Sequence, residues 1–138
     1  CGVDHPGSGV IFEKRLHESG ATLSISTLVH LGIEFECCAR LGRSLGPQEK
    51  EYTLEEIADA VEAVAPAFEV IDDRNCAYPL DLLSLVADNS WNEGNVLGEF
   101  KTSWPDLATA RSILECDGRV IDEGFGRDVL GHPLEPLR

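Results

Sequence analysis

Methionine is missing from this chain altogether, and so are a C-x-x-C pair, a glycine–serine linker and any internal repeat. No apolar run approaches the roughly 18 to 20 residues that a membrane span requires, and no charged-then-apolar leader precedes the patterned sequence. These absences point to a soluble, cytoplasmic protein without a membrane partner. Cysteines number five (Cys1, Cys37, Cys38, Cys76, Cys116), an odd count whose only close pair is adjacent, which gives neither a zinc signature nor a redox motif. They read as reduced, mostly buried thiols. Basic residues are scarce: 11 Lys and Arg stand against 25 Asp and Glu, for a net charge of −14. Such a field repels phosphate backbones and anionic lipid, so no nucleic-acid partner is expected.

What is present suits one domain, or part of one: 138 residues, 43% of them apolar. The chain begins at Cys1, and both ends run straight into patterned sequence, which suggests a piece of a longer protein. Turn formers lead into Val10–Phe12, which reads as a strand, and 21–27 (ATLSIST) reads as another. From Gly32 to Leu41, Ile33, Phe35, Cys37 and Ala39 alternate with Glu34, Glu36, Cys38 and Arg40, the period of a strand with two unlike faces. Thr53 and Glu56 form a capping box ahead of Ile57, Ala60, Val61 and Val64, which predicts a helix over 54–64 that Pro66 ends. Residues 67–71 (AFEVI) read as a strand, 80–87 as a helix, 88–94 as a polar loop and 95–100 as a strand. Asp117-Gly118 accepts the positive φ of a type I′ turn and predicts a hairpin between 112–116 and 119–122. The order implies a mixed α+β fold dominated by sheet, without the strand–helix alternation of a doubly wound domain.

Glu34 and Glu36 are two apart on a predicted strand, so both leave one face with Cα atoms roughly 6.5 to 7 Å apart. Glu69 offers a third carboxylate from a second strand. Three carboxylates without His or Cys suit Mg2+ or Mn2+ better than Zn2+. An E-x-E pair is more often a solvated strand face than a metal site, although a Glu69 buried without a donor or counter-ion would be costly. Both readings stand on the residues alone.

The segments 2–6 (GVDHP), 32–36 (GIEFE), 66–72 (PAFEVID), 86–90 (VADNS), 96–98 (VLG), the Asp117-Gly118 hairpin and 129–134 (VLGHPL) together resemble the 2-keto-4-pentenoate hydratase and 2-oxo-3-hexenedioate decarboxylase family. The resemblance spans essentially the whole chain. It implies a fumarylacetoacetase C-terminal-like fold, incomplete at both ends, with residues 1–138 forming part of the catalytic domain. It also implies that Glu34, Glu36 and Glu69 ligate Mg2+ (or Mn2+), and that Asp4, Asp88 and Asn89 lie beside a 2-oxo acid chelated by the ion. The implied activity is that of a hydratase acting on a 2-oxo-alkenoate such as 2-hydroxypenta-2,4-dienoate through an enolate, with decarboxylation as the alternative and a homo-oligomer as the assembly. The family's functional lysine falls before Cys1, and Cys37-Cys38 stand where aliphatic residues are usual.

Other candidates read as structural. His132 before Pro133 suits local packing, and Gly124-Phe125-Gly126 lacks the third glycine of a dinucleotide fingerprint. Trp91 and Trp104 read as core or interface aromatics, and no Ser-His-Asp or Cys-His signature marks a covalent nucleophile. A non-catalytic partner subunit is the rival from a different class.

Overall fold

A computed structural model of the chain describes residues 7–76 and 81–138. It is a mixed sheet structure with few helices. The regular elements are β1 (Leu16–Glu18), β2 (Leu31–Leu41), α1 (Leu54–Ala60), β3 (Val61–Asp72), α2 (Leu82–Ala87), β4 (Asn92–Leu97), β5 (Arg111–Cys116) and β6 (Arg119–Phe125). The first four strands make one sheet in the order β1-β4-β3-β2, and β5 and β6 form a separate hairpin. β1 runs parallel to β4, which is antiparallel to β3. No helix among the described residues is long and apolar enough to cross a membrane.

The chain divides into two compact units, with boundaries inside β2 after Glu36 and inside β3 after Pro66. One unit contains 7–36, 67–76 and 81–98 among the described residues; the other contains 37–66 and 99–138. The second unit holds the main apolar cluster, Ile57, Val61, Val64, Leu107 and Leu134, against which Cys37, Ala39 and Trp104 pack. Its helix α1 starts as the capping box dictates: the Thr53 hydroxyl accepts from the Glu56 backbone N–H at 3.2 Å, and the Glu56 carboxylate accepts from the Thr53 N–H at 2.8 Å. The first unit is anchored by Asp72, a buried acid whose carboxylate accepts from the backbone N–H groups of Val29 and His30 at 2.8 Å and of Arg74 at 2.9 Å. The Val29 bond contributes most to holding the Asp72 carboxyl below its usual range, with His30 and Arg74 adding to it against the opposing effect of burial.

Several sequence expectations are corrected. The helix expected over 54–64 stops at Ala60, and Val61–Val64 belong to β3, because the β-branched valines gain buried sheet positions that outweigh one more helical turn. Pro66 therefore lies within an extended strand, just ahead of the Ala67–Ile71 stretch that pairs with β4, rather than ending a helix. Val10–Phe12 and 21–27 are not strands; their apolar side chains are largely exposed, and the strand lies instead at β1, where β4 supplies a partner. β4 begins at Asn92 rather than Asn95. Cys37, Cys38 and Cys76 are half-buried and Cys116 is exposed, so the thiols are less buried than expected. The Asp117-Gly118 turn has φ of 51° and 73°, as the hairpin requires. His132 accepts the Leu134 N–H through Nδ1 at 3.1 Å, a local turn contact.

Candidate metal centre

Side chains alternate across a strand, so Phe35 and Phe68 take one face of β2 and β3 while Glu34, Glu36 and Glu69 take the other. The phenyl rings meet edge to face at 5.6 Å. On the opposite face, one carboxylate oxygen from each of Glu34, Glu36 and Glu69 lies within 4.8 Å of the others. Gly32 shares that face: a Cβ there would stand 2.7 Å from the Ile71 side chain, so its lack of one keeps the sheet close at this end.

None of the ion pairs among the described residues includes these three acids. Burial pushes the Glu34 carboxyl up, and Glu69 adds to the shift. Burial likewise raises Glu36, with Glu69 and then Glu34 contributing. Partly desolvated like charges without a counter-ion make an unfavourable arrangement that an oxygen-seeking cation would relieve.

Glu69 has one side-chain partner among the described residues. The Asn92 amide donates to its Oε1 at 2.6 Å and to Asn95 Oδ1 at 2.9 Å, and Asn95 is buried. Both acceptors call for the amide nitrogen, which fixes the orientation of the Asn92 side chain. Sequence reasoning missed this asparagine pair, because its placement depends on a register shift. β4 pairs Gly94 with Val70 and then Asn92 with Ile71, leaving Glu93 as an extra residue. Without that bulge, residues three apart would face opposite sides of the sheet.

The polar loop ahead of β4 is wound in an unusual sense. Asn89, Ser90 and Trp91 have φ of 49°, 53° and 65°, three successive left-handed residues; asparagine tolerates this backbone, while Ser90 and Trp91 adopt it at a cost of about 1–2 kcal/mol each. Arg74 bridges Asp88 at 2.5 Å and Glu93 at 2.6 Å, and Arg15 also pairs with Glu93 at 2.9 Å. The Asn89 amide donates to the Val10 carbonyl at 3.1 Å. Asp88 and Asn89, expected beside a substrate, thus have contacts that fasten the loop. Asp4 lies outside the described residues.

No protein-family profile matches the chain. Over 120 residues it is 34% identical to a 4-oxalocrotonate decarboxylase of a Pseudomonas species, an alignment covering 87% of this chain and 46% of the relative. It is 33% identical to the 4-oxalocrotonate decarboxylase of Pseudomonas putida (99% and 52%) and 31% identical to the 2-keto-4-pentenoate hydratase of Paraburkholderia xenovorans (99% and 51%). Among solved structures, the 4-oxalocrotonate decarboxylase of Pseudomonas putida G7 complexed with magnesium and adipate superposes with a TM-score of 0.78 at 31% identity, covering 88% of this chain and 46% of that one. The same enzyme complexed with calcium and acetate gives 0.76 at 32% identity, with 88% and 45% covered. The chain spans about half the length of the relatives it matches. The resemblance carried by its motifs is borne out.

Proposed function

We propose, on the premise that this chain is a relative of the 4-oxalocrotonate decarboxylases and 2-keto-4-pentenoate hydratases, that it carries the divalent-metal site of a lyase acting on a 2-oxo-alkenoate. Glu34, Glu36 and Glu69 are the ligands in this reading, and Mg2+ or Mn2+ is the ion. The observation that carries it is the convergence of three carboxylate oxygens within 4.8 Å, unpaired with any cation among the described residues.

The donor set fits such an ion. All three ligands are hard oxygens, as Mg2+ requires, and three of them leave positions in an octahedron for water and for a chelating substrate. When bound, the ion supplies Lewis-acid polarisation of the 2-oxo group and offsets the negative charge that develops during proton transfer. The chain contributes rigidity: its ligands stand on two strands of one sheet, so their spacing is set by the backbone rather than by a loop. The same reading gives Asp4, Asp88 and Asn89 to the substrate side, with Asp88 steadied by Arg74.

Hydration of a distal alkene, as in 2-hydroxypenta-2,4-dienoate, is the leading reaction. Decarboxylation is the second, favoured by the 34% identical relative and by the solved decarboxylase structures. Assays of the full-length protein with 2-hydroxypenta-2,4-dienoate and 4-oxalocrotonate, with and without EDTA, separate the two. Turnover of either compound that ignores chelation would defeat the metal mechanism, and a protein without saturable Mg2+ or Mn2+ uptake would be reassigned as a non-catalytic subunit.

The proposal extends to the fold and the assembly. Residues 1–138 form part of a fumarylacetoacetase C-terminal-like catalytic domain, a reading supported by the mixed sheet. In the same reading the protein acts in the cytoplasm as a homo-oligomer, and the exposed Leu31, Ile33 and Phe35 on edge strand β2 support the association. Sedimentation of the full-length protein tests the assembly, and a monomer at all concentrations would reject it.

A further inference from the structure

We propose that Asn92 is a positioning residue for the metal site, a side chain that sets the direction in which Glu69 presents its carboxylate. This rests on the metal reading above and adds to it a residue that the ligand triad does not contain. Three independent features of the fold converge on the contact. The left-handed turn Asn89–Trp91 ends on Asn92, the bulge at Glu93 turns Asn92 to the same side as Asn95, and the side-chain oxygen Oδ1 of buried Asn95 takes one of the two amide hydrogens. The other hydrogen is thereby aimed at Glu69 Oε1, 2.6 Å away. Asn95 is itself the cross-strand partner of Glu69, so the amide chain closes back on the strand that carries the ligand.

The geometry has a direct consequence for ion preference. With Oε1 engaged by the amide, Glu69 is restrained to offer Oε2 and is disfavoured from clasping an ion with both oxygens. Mg2+ demands near-ideal octahedral geometry and short bonds, whereas Ca2+ accepts a variable number of ligands and bidentate carboxylates. Asn92 accordingly favours the smaller ion. Groups that orient ligands in this way are typically worth 10–100-fold in affinity.

The test is calorimetric titration of the full-length protein and its Asn92→Ala variant with Mg2+ and with Ca2+, together with melting of the metal-free forms. The expected result is a loss of roughly 10–100-fold in Mg2+ affinity, a smaller loss for Ca2+, and a somewhat lower metal-free melting temperature, because the buried Asn95 Oδ1 loses its donor. Equal affinities in variant and wild type would overturn the proposal. So would a matched loss for both ions, which is the mark of a purely structural residue. Asn92→Leu, branched at Cγ like Asn but unable to donate, takes the place of the alanine variant if that one does not fold. Failure of the underlying metal reading looks different: wild type and Glu69→Gln would then both lack saturable uptake, which removes the metal site and this role with it.

Discussion

Burial and the neighbouring Glu69 both push the Glu36 carboxyl above its ordinary range. A native pKa above the unfolded one means that the folded state binds the extra proton, so this group's stabilising contribution is complete below the unfolded pKa and is lost as pH rises through the native one. At neutral pH the metal-free protein therefore folds against its own acidic cluster. Glu36→Gln is expected to raise metal-free stability at neutral pH by about 0.5–2 kcal/mol, the usual yield of a single stabilising substitution. The gain should fade as pH falls through the native Glu36 pKa, where the wild-type side chain takes up its own proton. Denaturant melts of both proteins across pH, in EDTA, check the sign; a gain that grew on acidification would contradict it. Asp72 behaves oppositely, since its lowered pKa gives stability that is present above the unfolded value and lost as pH falls through the native one.

At the scale of elements, local rules decide some structures and partners decide others. Thr53→Ala should cost about 1 kcal/mol by removing the cap of α1, and a Val at Gly118, whose φ is 73°, should cost about 1–2 kcal/mol in the β5–β6 turn; both are read from equilibrium unfolding. These two features were legible in the sequence because each is complete within a few residues. So was the two-faced pattern of β2, since alternation alone fixes which side Glu34 and Glu36 take. Residues 21–27 show the limit: their pattern suits a strand, but a strand needs a neighbouring edge, and composition does not say whether one is there. Val61–Val64 suit a helix and a strand almost equally, and burial in the sheet decided it. Asn92 was hidden for a further reason. It reaches Glu69 only through a one-residue slip in β4, and such a slip reverses the facing of every residue before it.

For the whole molecule, a ligand that binds only the folded state adds stability by mass action, about 2.7 kcal/mol at one hundred times its dissociation constant. Mg2+ should therefore raise the melting temperature in a saturable way, EDTA should reverse the rise, and Glu69→Gln should abolish it. Sodium chloride at equal ionic strength is the control, because screening a net charge of −14 also stabilises but does not saturate. The apolar cluster around Ile57 lies in the other compact unit, and Ile57 is fully buried. Ile57→Ala should lower stability by about 2–5 kcal/mol. Calorimetry of that variant with and without Mg2+ shows whether the ion's increment persists when the apolar cluster is weakened.

The reverse-wound stretch at 89–91 is tied at both ends, by Arg74 on Asp88 and by Arg74 and Arg15 on Glu93, with the Asn89 amide on the Val10 carbonyl besides. Were those ties released, the left-handed residues would be free to return to ordinary backbone, and Asn92 at their end would lose its hold on Glu69. Amide exchange along this stretch should consequently quicken before the rest of the sheet loosens, so that, with the metal site as proposed, affinity for the ion would fall while most of the strands remained paired.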